Sequence, residues 1–143
     1  MKTKRRQARI LVVQALFQLD AQGDDFLEQV AGFLGDSGQG PDVVDDADRL
    51  TRGAWAGRDR ADALIGGASE HWAVDRMGAA DRSILRLAVS EMMAPDGPPA
   101  AVVIDEAIEL GKRFGGAESP QFINGVLDAV RKRLEASAGS ADD

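Results

Sequence analysis

The sequence contains no cysteine. That absence excludes disulfides, thiolate metal sites and cysteine nucleophiles together, and it fits a reducing compartment. Histidine occurs once, as His71 beside Trp72; a lone imidazole next to an aromatic reads as a packed or surface residue rather than a metal ligand. No run of alternating β-branched residues marks a strand. No stretch of 18 apolar residues is present to span a bilayer. The eight-residue run ILVVQALF follows a basic start, but no small-residue cleavage pattern comes after it, so it is not read as a secretory leader. The GGA at 115–117 follows a helical pattern rather than a strand, which excludes a phosphate loop. Asp45, Asp46 and Asp48 lack EF-hand spacing and read as part of a solvated loop. Trp55 and Trp72 suit a core or an interface. These absences lead to the expectation of a cytoplasmic protein with no catalytic constellation, no metal or other cofactor and no membrane contact.

Acidic residues are missing from one place in particular: none precedes Asp20. The chain as a whole is acidic, with a formal net charge of −7. Of its 17 Lys and Arg, five lie in the first nine residues (Lys2, Lys4, Arg5, Arg6 and Arg9), and the other 12 face 24 Asp and Glu. Such a protein does not bind nucleic acid over its whole surface, so any polyanion contact is local. Cations at a helix N-terminus each cost about 0.3–1 kcal/mol, because the helix dipole is positive there. At 100° per residue, Lys2, Arg5 and Arg9 fall within about 60° of one another and Arg6 roughly 40° further round. A stripe of guanidinium groups beside exposed backbone N–H groups suits phosphate; a solvated basic tip is the alternative. On the first reading, the unbalanced charge is tolerated because its partner is a polyanion.

What remains is helical periodicity. With 143 residues, 44% of them apolar, the chain is long enough to bury about 68–70% of its unfolded surface in one domain. A first helix is predicted from Thr3 to Ala21, with Ala8, Leu11, Val12, Ala15, Leu16 and Leu19 on one face and Ile10, Val13 and Phe17 on another. A short helix over 24–34, a loop over 35–46 and a helical region over 44–64 follow. Gly66-Gly67 is expected to interrupt that region before a piece through Trp72 and Met77. A helix over 80–94 is ended by PDGPP, because two prolines and a glycine cannot continue it. The next helix carries Val103, Ala107, Ile108, Gly111 and Phe114 on one face and stops at Gly115 or Gly116. The last begins with Ser119 as N-cap and Pro120 at the first helical position, and its period passes straight through Asn124-Gly125. EASAGSADD is expected to fray. Phe122, in the first turn of the last helix, suits either the core or a base stacked at an exposed helix start.

Three stretches, in this order, resemble the NusB transcription antitermination factors: RRQARILVVQALF, DRSILRLAVSE and AIELGKRFGGAESPQFINGVLD. The most specific part is IDEAIELGKRFG with FINGVLD; the arginine-rich start alone is a weak sign. The resemblance implies an all-α fold of about seven helices in two packed three-helix bundles, within one compact domain over residues 1–137. The bundles would cover about 3–70 and 71–137, with a polar tail over 138–143. It also implies a factor that binds single-stranded boxA RNA of ribosomal RNA operons together with the ribosomal protein NusE. That factor would act in the RNA polymerase antitermination complex with NusA and NusG. On this mapping Lys4, Arg5, Arg6 and Arg9 hold RNA phosphates and bases, Glu118 and Phe122 contact RNA at the joint before the last helix, and Asp81 and Arg82 face NusE. The chain departs from the family pattern in having Glu rather than Asp at 118, Pro120-Gln121 in place of a more basic pair, and LAVSEMM without an aromatic. Two rival readings are a helical protein-binding adaptor without RNA contact and the RNA-binding remnant of a ribosomal RNA methyltransferase. The second lacks any βαβ pattern here.

Overall fold

In the computed structural model, which describes residues 3–69 and 73–141 (of 139–141 the backbone alone), the first helix, α1 (Lys4–Gln22), starts directly behind Thr3. The Arg6 N–H donates to the Thr3 hydroxyl at 3.1 Å, an N-cap that contributes about 1 kcal/mol relative to alanine. Ala8, Leu11, Val12, Ala15, Leu16 and Leu19 are all buried, as their spacing predicts. Val13 joins them, whereas Phe17 is 45% exposed.

A 3-10 turn over Gly23–Gln29 and a six-residue helix, α2 (Val30–Gly35), replace the single helix expected over 24–34. The tighter winding lets Phe26 turn inward to meet Phe33 edge-on while Asp24 accepts from Trp55 Nε1 at 2.7 Å. The expected loop over 35–46 is shorter than predicted, because α3 (Pro41–Ala56) already begins at Pro41. The reason is local: proline at the first helical position has a φ preset for the helix, and Asp42 in the first turn suits the dipole. Asp45, Asp46 and Asp48 therefore lie on a helix, not in a loop.

At Gly57 the chain turns into α4 (Arg58–Ala68), which runs through Gly66-Gly67 without interruption. Helix glycines cost about 1 kcal/mol each, and the complete burial of Ile65 just before them offsets that cost. His71 and Trp72 lie outside the described residues; Val74–Arg76 form one 3-10 turn. Helix α5 (Ala79–Met93) follows, and every residue from Ser83 to Val89 is buried. A helix covered on all sides sits at the centre, and α5 packs on α1, α3, α4, α6 and α7.

After the PDGPP turn come α6 (Ala100–Phe114) and α7 (Ser119–Ala141). Helix α7 passes through Asn124-Gly125 because Ile123, Val126, Leu127 and Val130 are buried along one side. It also continues through most of the segment expected to fray, as far as Ala141, since Glu135, Ala136 and Ala138 favour helix. Helices α1, α2 and α3 form one group; α4 packs on α5 and α7 and so belongs with α5–α7. Among the described residues the fold is entirely helical, and no helix is long and apolar enough to cross a membrane.

Candidate nucleic-acid interface

The basic start of α1 is balanced in space by acids that are distant in sequence. Lys4 Nζ donates to Asp42 Oδ2 at 2.8 Å, and Arg5 Nε to Asp46 Oδ2 at 2.7 Å. Arg6 makes a two-pronged pair with Glu106 at 3.0 and 2.8 Å, and Arg9 another with Glu91 at 2.9 Å on both prongs. Helices α3, α5 and α6 thus supply the carboxylates that the sequence around α1 lacks. The tolerance of the charge, attributed above to an external polyanion, has this internal cause. Hydrogen bonding to Asp42 holds Lys4 above its ordinary pKa, and the same bond holds Asp42 below its own. The Arg6 hydrogen bonds lower Glu106 despite its burial, with further help from the charges of Arg6 and Arg9.

Exposure divides the four cations. The side chains of Lys4, Arg5 and Arg6 are 72, 39 and 44% exposed, against 6% for Arg9. Lys4 and Arg5 turn toward α3 and Arg6 toward α6, so the three together ring the N-terminal end of α1 as its basic edge. Arg9 lies beneath it and fastens α1 to α5 through Glu91. Lys2, the remaining member of the stripe, lies outside the described residues.

Arg82 is engaged internally. Its Nε and Nη2 donate to Asp20 at 3.1 and 2.5 Å, and its Nη1 donates to the carbonyls of Val74 and Met77 at 3.0 and 2.8 Å. Arg86 also donates to Asp20, at 2.9 Å, and makes a two-pronged pair with Asp62. Burial pushes the Asp20 carboxyl up, but the hydrogen bonds and charges of Arg82 and Arg86 outweigh it and hold the group below its usual range. Folding therefore lowers the pKa of Asp20. The stabilisation is complete above the unfolded carboxylate value of about 4 and is lost as pH falls through the folded value. Thermal midpoints measured from pH 7 down to pH 2 are expected to decline below about pH 4. Asp20→Asn should melt earlier at pH 7 and show a shallower acid decline. An identical acid decline in the variant contradicts this role.

The second feature is the joint between α6 and α7. An open cleft of about 620 Å³ there is lined by Arg76, Met77, Asp81, Glu118, Ser119 and Phe122, among others. Ser119 is itself the first helical residue of α7 rather than its N-cap, and the Phe122 N–H donates to the Glu118 carbonyl at 3.1 Å. The Ser119 hydroxyl points back into the joint and accepts from the Gly116 N–H at 2.9 Å. Gly115 caps α6 with φ −95°, so space rather than handedness requires glycine. A Cβ there would lie 2.3 Å from Ser119 Oγ and 3.0 Å from Asp81 Oδ1. Phe122 is half-buried and packs against the core while lining the cleft. Glu118 is exposed, and Asp81 Oδ1 is buried with no hydrogen-bond partner among the described residues. Asp81, Glu118 and Phe122 are thus brought together, whereas Arg82 is directed away into its pair with Asp20. Helix α6 links the two features. Glu106 stands at the basic edge and Gly115 at the joint, about 13 Å apart along the axis at 1.5 Å per residue.

Residues 6–132 match the NusB family profile. The chain belongs to the NusB family. A transcription antitermination protein NusB from Symbiobacterium thermophilum is 41% identical over 144 residues, covering 95% of this chain and 94% of that one. The solved structure of T. maritima NusB superposes with a TM-score of 0.81 at 37% identity, over 92% of this chain and 93% of its own. A crystal structure of the antitermination factors NusB and NusE in complex with dsRNA gives a TM-score of 0.81 at 25% identity, over 93 and 99% of the two chains.

Within this NusB fold, Asp42, Glu91 and Glu106 go unnoticed in the sequence, and Asp46 reads there as part of a solvated loop rather than as a partner of Arg5. Asp42 and Asp46 carried a usable signal, since they are spaced four apart and share a helix face. Glu91 and Glu106 carried none, because their partners on α1 lie 82 and 100 residues away. Among the described residues, no group of three or more His, Cys, Asp or Glu side chains is placed to hold a metal ion.

Proposed function

We propose that this chain is a transcription antitermination factor that binds boxA-type single-stranded RNA of ribosomal RNA operons together with the ribosomal protein NusE. It acts by binding rather than catalysis, in the cytoplasm, within an RNA polymerase complex that includes NusA and NusG. The observation that carries this reading is the agreement of nearly the whole fold with a NusB crystallised with NusE and dsRNA; the single-stranded form is part of our proposal. The surface supports it in two places. Lys4, Arg5 and Arg6 give a local basic edge on an acidic protein, suited to phosphates. Phe122, beside Glu118, offers an aromatic face at the other end of α6, suited to an unpaired base. The acidic remainder suits a basic ribosomal protein, and Asp81, which lines the cleft, is the candidate contact on α5. Arg82 would contribute by holding α5 in place. Arg9 would contribute by positioning the start of α1.

The test is a titration of labelled boxA-type RNA with this chain alone, with NusE alone and with both. The mixture is expected to bind more tightly than either protein, and calorimetry is expected to detect a complex of the two proteins that forms faster at low salt. If the proteins do not associate and the RNA is not bound, the adaptor reading takes precedence.

A further inference from the structure

Two acids of α3 lie against the basic edge itself. Asp42 and Asp46 are one helical turn apart, and α3 packs on α1. Asp42 Oδ2 sits 2.8 Å from Lys4 Nζ, and Asp46 Oδ2 sits 2.7 Å from Arg5 Nε. The other oxygen of Asp46, Oδ1, accepts from Arg49 at 2.8 Å. These are the distances at which a phosphate oxygen meets an ammonium or guanidinium group. A phosphate approaching Lys4 or Arg5 therefore finds a carboxylate at the position it would take, and two anions cannot share that position without repulsion. Asp45, between them in sequence, is exposed and takes no part in the ion pairs of this edge among the described residues.

We propose that Asp42 and Asp46 form an acidic cover over the phosphate-binding edge of α1, held in the free chain and displaced when RNA arrives. The proposal rests on the RNA reading above and adds a control to it. The cover neutralises the edge toward passing polyanions. An RNA that also engages the cleft at Phe122 gains contacts that a random polyanion lacks, so it displaces the carboxylates more readily. Glu106 also pairs with Arg6, and Glu91 lies 3.7 Å from Arg5 Nη1, but their side chains are only 18 and 4% exposed and both also face the buried Arg9, so they are fixed beneath the edge and are not part of the displaceable cover.

The experiment uses the full chain and its Asp42→Asn, Asp46→Asn, double and Asp45→Asn variants. Each is titrated with a boxA-type RNA and with an unrelated single-stranded RNA of equal length, at several salt concentrations. Releasing each surface pair is expected to tighten binding about 1.5- to fivefold. The salt dependence should steepen by up to about 0.7 per cation released. The unrelated RNA should gain more than the boxA-type RNA, narrowing the preference between them. Asp45→Asn changes the net charge equally on the same helix and should gain clearly less. Equal gains for Asp45→Asn and Asp42→Asn, or no gain in the double variant, overturn the cover. The Asp42 side chain is 76% exposed, so its variant keeps the fold and the comparison stands. If the unsubstituted chain binds neither RNA, the functional reading fails separately. The cover is then judged by elution from heparin: later elution of the double variant than of Asp45→Asn supports it, and co-elution overturns it.

Discussion

Glu91→Ala is expected to destabilise the fold by about 3–5 kcal/mol, the usual cost of removing one partner from a buried ion pair. Glu91 and Arg9 have side chains only 4 and 6% exposed, and both prongs of the guanidinium are used. The pair lies against Ile84, Leu87, Val103 and Leu110, where water is not available to take over the charge. Without the carboxylate, Arg9 stays buried with Glu106 only 3.9 Å from its Nη1 as partial compensation. At about 2–4 °C per kcal/mol for a domain near this size, the thermal midpoint should fall by roughly 6–20 °C. Replacing both partners, as Arg9→Met with Glu91→Leu, should recover much of the loss, because an apolar pair avoids the desolvation cost. A loss below about 1 kcal/mol in Glu91→Ala, measured by urea unfolding, contradicts a buried pair. Weaker RNA binding in Arg9→Ala would not by itself report a lost phosphate contact, since that variant leaves the buried Glu91 with only Arg5 Nη1, at 3.7 Å, as a cationic neighbour.

Phe122→Ala is expected to weaken RNA binding roughly 5- to 150-fold, the range for losing one base stacked on an aromatic ring. The ring is half-buried and lines the cleft with Asp81 and Glu118. Its stability cost should therefore fall short of the roughly 3–5 kcal/mol of a fully buried phenylalanine. Phe122→Leu keeps most of the apolar volume and removes the π-face. Retained stability with lost affinity in that variant assigns the ring to RNA. A large drop in the midpoint with unchanged affinity of the folded fraction assigns it to the core alone.

The legibility of the molecule followed the range of the interactions. The buried face of α1, the passage of α7 through Asn124-Gly125 and the stop at PDGPP depend on periodicity and local backbone chemistry, so the residues disclose them. The start of α3 at Pro41 was also local, but the glycine- and aspartate-rich stretch around it looked like loop, and the preset φ of proline decided the matter. The continuation of α4 through Gly66-Gly67 was not visible, because it depends on Ile65 finding a place between α5 and α7. The basic edge was legible as a run of cations; its partners were not. Arg9 and Arg5 belong to the same stripe by angle, yet one is buried and the other only half-buried. Only the position of α5 relative to α1 separates them. Arg82 shows the same limit: nothing in ADRSILR tells that the guanidinium reaches back to Asp20 on α1.

The central claim is that an acidic chain meets RNA through one basic edge. It is tested most directly by the salt dependence of RNA binding in the complex with NusE, for the unsubstituted chain and for the Lys4→Ala, Arg5→Ala, Arg6→Ala triple variant. Each phosphate neutralised on a single strand contributes roughly −0.7 to the slope of log K against log salt. Displaced Asp42 and Asp46 recapture some cations, so the triple variant should lose about 1 to 2 from the slope, while the loss of its surface pairs lowers the thermal midpoint by only a few degrees. A slope equal to that of the unsubstituted chain means that the edge is merely solvated and that RNA is held elsewhere.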